Sequence, residues 1–184
     1  WVPWLEPIAV EDLTERHYEG LVDRRRDSSP YFRLLARDPE VLAARTKADI
    51  DIFQTGSRDG QGLPRPEREL GAAAASRVNG CVFCASVHAR FSAQLSKREA
   101  DIDLLLLEGT DAAVNQLDPR WSAIVAAAAA LTATPSAFSA QNVEQLRAVG
   151  LSDEAIGDLI SSAGFFSWAN RLMLSLGEPE NPTE

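Results

Sequence analysis

Cysteine is scarce in this 184-residue, 20.0 kDa chain. The two that occur, Cys81 and Cys84, stand too close together to staple a fold. A disulfide between them closes a tiny loop and adds little stability, so the pair points to redox chemistry rather than to structure. Histidine is as rare, at His17 and His88 only. Positive charge is in deficit: 18 lysines and arginines face 27 aspartates and glutamates, a net charge of −9. That balance excludes the basic face on which phosphate binding depends, so no nucleic-acid partner is expected. The one basic run, Arg24-Arg25-Arg26, lies between Asp23 and Asp27 and is a solvated face. Long apolar runs are absent as well. The most apolar stretch, Ile124 to Leu131, is rich in alanine and far shorter than a bilayer span, so no membrane association is expected. There is no glycine-rich phosphate loop, no internal repeat, and no period-two alternation that would mark strands. No signal or transit peptide is visible from Trp1 onward, and a reducing, cytoplasmic setting is expected.

What is present is ordinary for a globular protein: 45% hydrophobic and 24% charged residues, enough for a single domain burying roughly 70% of its unfolded surface. The punctuation predicts an all-α fold. Trp1 to Ile8, aromatic and proline-bearing, reads as an extended arm lying on another surface, such as that of a partner subunit. Leu13, His17 and Leu21 recur at helical spacing and predict a helix over 11–26. Ser29-Pro30 breaks the chain before a short helix over 31–36. Asp38-Pro39 starts a helix reaching Gln54. The glycines between Thr55 and Leu63 mark a loop. Pro66 opens a helix to Val78, and Asn79-Gly80 ends it. A second helix follows from Cys81 to Leu95. Ser96-Lys97-Arg98-Glu99 has the capping-box pattern, predicting a helix to Gly109. Asp118-Pro119, Ser139 and Ser152-Asp153-Glu154 start three more, the last reaching Gly177. The expected organisation is an N-terminal arm and helices over 1–62, a core over 63–177 and a polar tail over 178–184.

The reactive residues concentrate in Asn79-Gly80-Cys81-Val82-Phe83-Cys84-Ala85-Ser86-Val87-His88. Cys84 falls in the first turn of the second helix, where free N–H groups and the helix dipole favour a thiolate. His88 follows one turn later on the same face and is the side chain suited to take a proton near neutral pH. Cys84 is then the attacking sulfur and Cys81 the resolving one. Glu69 lies twelve residues before Cys81 on the preceding helix. If the two helices fold back on each other, its carboxylate can reach His88 and orient the ring.

Other uses of these residues compete. Cys81, Cys84 and His88 could supply three zinc ligands, with His17 or Glu69 as a fourth, although the chain has no further cysteine. His17 taken alone is a partly buried bystander. Glu67 is a first-turn carboxylate favoured by the helix dipole. Trp168, Asn170 and Arg171 on the last helix either line a substrate pocket or pack the core.

Glu69, the Cys81-x-x-Cys84 pair and His88, together with Arg65-Pro66-Glu67-Arg68-Glu69-Leu70 and Ser76-Arg77-Val78-Asn79-Gly80-Cys81, resemble the motif of the alkylhydroperoxidase AhpD-like family within the carboxymuconolactone decarboxylase-like superfamily. The likeness is specific from Leu63 to Gly109 and looser towards Gly177. It is greatest to the peroxidase-related branch. The resemblance implies an AhpD-like helical bundle and a thiol-dependent peroxidase that reduces hydroperoxides, with Cys84 peroxidatic, Cys81 resolving, and Glu69 with His88 as proton relay. It also implies an external dithiol reductant of lipoyl or thioredoxin type, a homo-oligomer (dimer, trimer or hexamer), and chemistry without metal, flavin or haem. One position departs from the family pattern: Phe83 stands where the best-known branch has a second histidine, so the relay is shorter. Two further functions remain open. One is a lactone lyase of the carboxymuconolactone decarboxylase type, and the other a redox sensor that forms the disulfide without turnover.

Overall fold

Proline, aspartate and glycine set the helix boundaries in the computed structural model, which describes residues 1–55 and 62–179. Its helices are α1 (Glu15–Leu21), α2 (Pro30–Leu35), α3 (Pro39–Ile50), α4 (Arg65–Val78), α5 (Val82–Ser96), α6 (Glu99–Leu107), α7 (Thr110–Gln116), α8 (Pro119–Thr132), α9 (Ala140–Ala148) and α10 (Asp153–Leu174). The only strands among the described residues are the two-residue β1 (Val2–Pro3) and β2 (Gly177–Glu178), paired antiparallel. The fold is all-α, as the missing alternation implies. Most of the predicted loop over 55–63 and of the polar tail over 178–184 lies outside the described residues.

The chain divides into two compact units: Trp1–Asp51 with the segment from Leu172 on, and Ile52–Arg171. The second shares residues 63–171 with the core expected from sequence.

In the first unit, Leu21, Ala36 and Leu42 form a small buried centre, flanked by Ile8, Leu13, Tyr18 and Phe32. The predicted helix over 11–26 is a single short α-helix between two 3-10 turns, Val10–Asp12 and Arg24–Ser28. Val22 ends it at φ 65°, a left-handed conformation that a β-branched residue adopts only when the surroundings impose it. The aromatic arm lies on its own chain: Trp1 packs edge-on against Tyr31 at 5.5 Å, and its indole covers Gly177.

In the second unit α4 is the axial element, packed against α5 and α8. Every residue from Glu67 to Ser76 is buried. The alanines make this possible, because a thin helix lets neighbours approach on all sides. Ser92 Oγ on α5 donates to Pro66 O at 2.9 Å, and Ser162 Oγ on α10 donates to Arg68 O at 2.6 Å, fastening both to the first turns of α4.

Other boundaries also differ from the sequence reading, and the last helix ends at Leu174 rather than Gly177. Ser96 does not cap α6. It belongs to α5, donates to Ser92 O at 2.6 Å, and leaves Arg98 as an N-cap without a side-chain bond. The turn comes from Lys97 instead, at φ 62°. The helix predicted to end at Gly109 is followed immediately by α7, which sequence punctuation does not announce. No helix among the described residues is long and apolar enough to cross a membrane.

Candidate functional site

The turn from α4 into α5 builds the site. Gly80, at φ 73°, donates its N–H to Arg77 O at 3.3 Å, and the N–H of Cys81 reaches back to Ser76 O at 3.0 Å. This paired closure satisfies two terminal carbonyls of α4 and requires a residue free to adopt a left-handed backbone, which is the use of Gly80. Cys81 then serves as the N-cap of α5, so one residue ends one helix and begins the next. Cys84 occupies the first turn of α5, as its spacing predicts.

Both cysteines are buried, and their sulfurs lie 2.9 Å apart, farther than a disulfide bond. The Cys81 thiol is lowered to about 7 from a usual value near 9. The main cause is the Cys84 thiol, which donates to the Cys81 thiolate; burial works against it, and the Cys84 backbone N–H and the Asn170 side chain add to the stabilisation. Helix-dipole reasoning from sequence places the activated sulfur at Cys84.

Behind the sulfurs lies the proton pair. Glu69 Oε2 meets His88 Nδ1 at 2.6 Å, with Glu69 1% and His88 8% exposed. Arg65 Nε donates to the other carboxylate oxygen at 3.1 Å. Glu69 is thus held at both oxygens, and its bond to Nδ1 fixes the orientation of the His88 ring. Phe166 sits edge-on to His88 at 3.9 Å between centroids, and Phe53 lies at 5.2 Å. These rings keep water from the imidazole and fix its plane. Phe83, in the place of the second family histidine, is 54% exposed and takes no part in this enclosure.

The structure pairs Glu69 with His88 and Cys81 with Cys84, and Cys84 and His88 stand one turn apart on α5. It separates His17, whose Nδ1 accepts the Thr14 N–H at 3.0 Å and so caps α1. Glu67 is drawn instead into a two-point ion pair with Arg120, both contacts at 2.7 Å, which ties α4 to α8. Among the described residues no three His, Cys, Asp or Glu side chains converge as a metal site. On α10, Trp168 is 43% exposed, and Arg171 bonds to Ser167 and Thr134.

Asn170 is fully buried and belongs to the site. Its Oδ1 accepts from Asn79 Nδ2 at 3.1 Å, its Nδ2 donates to Ser76 Oγ at 3.0 Å, and its amide also reaches Cys81. Sequence reasoning names Asn170 only as one of three possible pocket residues and does not connect it to the sulfurs. It gives no role to Phe53, Phe166 or Arg65. Of these only Arg65 leaves a trace in the sequence, four residues before Glu69 on one helical face.

A cavity of about 280 Å³ opens beside the turn, walled by Arg77, Gly80, Cys81, Val82, Ala85 and Leu106 among others. Cys84 is not in its wall.

The carboxymuconolactone decarboxylase family pattern matches residues 39–133, a little over half of the chain. No curated protein matches it. Among solved structures, a peroxidase-related protein with an alkylhydroperoxidase AhpD core from Ralstonia eutropha JMP134 superposes with a TM-score of 0.75 at 21% identity, over 98% of this chain and 93% of that one. A peroxidase-related protein from Silicibacter sp. TM1040 gives 0.68 at 25% identity, over 95% and 87%. The debrominase Bmp8 gives 0.67 at 16% identity, over 94% and 89%. With the family pattern spanning the two-cysteine turn and the AhpD-like fold shared from end to end, the chain belongs to the carboxymuconolactone decarboxylase family.

Proposed function

We infer that this protein is a thiol-dependent peroxidase that reduces hydroperoxides through a Cys81–Cys84 redox pair. The observation that carries the reading is a pair of buried sulfurs 2.9 Å apart at the start of α5, with His88 one turn on along the same helix and bonded to the buried Glu69. Two sulfurs at this separation need only a small approach to become a disulfide. A buried imidazole held by a carboxylate can move the protons that such a step releases and consumes. Lactone chemistry would leave the cysteine pair without a task, and among the described residues no three His, Cys, Asp or Glu side chains converge as a metal site.

In the cycle, one sulfur attacks the hydroperoxide and becomes a sulfenic acid, and the other condenses with it to give a disulfide and water. An external dithiol, of lipoyl or thioredoxin type, restores the thiols by exchange through a mixed disulfide. His88, oriented by Glu69, relays protons between the thiol pair and the leaving oxygen. The peroxidase-related proteins of the same fold support this assignment. Phe83 leaves the relay to His88 and Glu69 alone.

The test is a thiol titration before and after one equivalent of an organic hydroperoxide, followed by steady-state consumption with each dithiol donor. Loss of both thiols and continued turnover are expected. Two thiols surviving the hydroperoxide would overturn the reading. Oxidation without turnover by any dithiol would make the protein a redox sensor, and lactone conversion that survives Cys84→Ser would make it a lyase.

A further inference from the structure

A buried amide must find partners for its oxygen and for both of its N–H groups, and those partners show what it serves. Asn170 is fully buried on α10. Its Oδ1 accepts from Asn79 Nδ2 at 3.1 Å, and Asn79 Nδ2 also donates to Thr132 Oγ1 at 3.3 Å. The oxygen end of the Asn170 amide is therefore taken. Its Nδ2 donates to Ser76 Oγ at 3.0 Å, and the same side chain bonds the Cys81 sulfur. Ser76 closes the arrangement, because its carbonyl accepts the Cys81 N–H at 3.0 Å. The last turn of α4 and the far end of α10 thus grip Cys81 by backbone and side chain together. Asparagine, serine and threonine do not titrate near neutral pH, so this grip is the same whatever the protonation of the Glu69–His88 pair.

We propose that Asn170 readies Cys81 as the resolving sulfur: its amide donates to the Cys81 thiolate, both when that sulfur closes the disulfide and when it is released from it. The proposal rests on the peroxidase reading and keeps Cys84 as the sulfur that attacks.

The division of labour follows from the surroundings. Cys84 has His88 one turn further along α5, a side chain able to exchange protons. A resolving sulfur needs its charge held in place, and a fixed N–H donor does that without competing for the proton. The Cys81 thiol is lowered chiefly by the Cys84 thiol, against burial, and the Asn170 amide adds to the effect, in agreement with this arrangement.

In the closing step Cys84 is already a sulfenic acid and the hydroperoxide has left as an alcohol. The Cys81 thiol gives its proton to solvent. Its thiolate bonds to the Cys84 sulfur, the S–O bond breaks, and the departing hydroxide takes a proton from solvent as water. Two thiols have then lost two electrons to the hydroperoxide. On the return, one thiolate of the external dithiol bonds to the Cys84 sulfur and the S–S bond breaks. Cys81 leaves as a thiolate against the Asn170 N–H and is then protonated. The second thiol of the donor displaces Cys84, gives up its proton to it, and the donor departs as a disulfide. A better stabilised leaving thiolate leaves faster.

The experiment compares wild type with Asn170→Leu, which removes the donor at similar volume, and with Ser76→Ala, which loosens the amide but keeps the carbonyl that accepts the Cys81 N–H. Three readouts are taken: iodoacetamide labelling of Cys81 against pH, located by peptide mass spectrometry; the thiol–disulfide equilibrium with glutathione; and dimedone trapping after one equivalent of cumene hydroperoxide. In Asn170→Leu the labelling midpoint should rise above about 8, because the thiolate has lost a donor. The glutathione equilibrium should move towards the disulfide by about tenfold, the worth of one hydrogen bond to a charged sulfur. At pH 6, Cys84 should be oxidised at the wild-type rate, while disulfide closure slows at least threefold, roughly, and the dimedone adduct accumulates on Cys84; the slowing is smaller than the loss of thiolate because a more basic sulfur is a better nucleophile. Ser76→Ala should move all three in the same direction by less, and it carries the test if Asn170→Leu does not fold. An unchanged midpoint and glutathione equilibrium would overturn the assignment, as would slower oxidation of Cys84 with closure unaffected. If hydroperoxide leaves both thiols of the wild type intact, the peroxidase reading has failed, and the glutathione equilibrium, reached without peroxide, decides the role of Asn170 by itself.

Discussion

The two units use the same charged residues in opposite ways. In the first, most ion pairs stand in solvent: Arg16 and Glu40 meet at 2.8 Å with side chains 68% and 65% exposed, and Arg24–Glu15 and Arg25–Asp23 are also exposed, while Arg45–Asp49 is more buried. In the second, two carboxylates of α4 are enclosed: Glu69 is 1% and Glu67 7% exposed, each with a cationic or imidazole partner, while Arg147–Asp153 stays in solvent. An exposed pair exchanges water for a partner at nearly equal free energy. A buried one, once made, cannot lose a member without leaving an unsatisfied charge. The contrast teaches that the carboxylates of α4, on the helix that leads into the sulfurs, are paired inside the protein, whereas most pairs of the first unit decorate its surface.

The contrast breaks first at Glu67. Glu67→Ala strands the Arg120 guanidinium against α4 and should cost about 3 kcal/mol in urea unfolding, the lower end for a buried pair because Arg120 keeps some access to solvent. A loss below 1 kcal/mol would place this pair with the surface ones.

Glu69→Gln keeps the shape but removes the charge beside His88. Peroxide turnover should fall by about a hundredfold with the Michaelis constant little changed, as for loss of a general acid–base partner. Equal activity would remove the relay from the mechanism.

Gly20→Ala tests whether the first unit is as loosely specified as its ion pairs. An added Cβ would sit 2.8 Å from Pro39 Cα and O, which are backbone atoms and cannot rotate away. A cost of about 2 kcal/mol is expected from thermal unfolding, in the range of overpacked cores. A neutral result would mean that α1 and α3 can part freely.

The Cys81 thiol sharpens the comparison through pH. Its ionisation is depressed to about 7, so iodoacetamide labelling of Cys81 should reach half its plateau near pH 7 and fall about tenfold per unit below it. The same shift is stabilising above the unfolded value near 9 and is lost as pH falls through 7. A labelling midpoint near 9 would show that Cys84 and Asn170 do not support the thiolate.

Smallest is Glu40→Ala, whose effect on thermal unfolding should be barely detectable and should vanish in about 1 M salt.

Much of the fold is legible in the chain because it depends on local backbone chemistry. Asp38-Pro39 and Asp118-Pro119 cap and open α3 and α8, since a short carboxylate can accept the first N–H groups and proline needs none. Gly80 closes α4 because few other residues tolerate that turn. Where a local pattern fails, a tertiary demand has intervened. Ser96 bonds backwards within α5 rather than capping α6, and Val22 is driven to positive φ at the end of α1. The site divides in the same way. Spacing along a helix is enough to relate Cys81, Cys84 and His88, and the family likeness adds Glu69. It does not reveal Phe53, Phe166 and Asn170, because these come from segments far along the chain and carry no local mark of their purpose.

By itself the sequence determined an all-helical chain with one redox-capable turn, since helix periodicity, capping and the cysteine spacing are properties of neighbouring residues. Only the tertiary structure decided that Glu69 is buried against His88, that an amide from α10 reaches Cys81, and that a cavity opens beside the turn between α4 and α5. Burial, dielectric and access are properties of what surrounds a side chain, and those surroundings exist only once distant segments have packed.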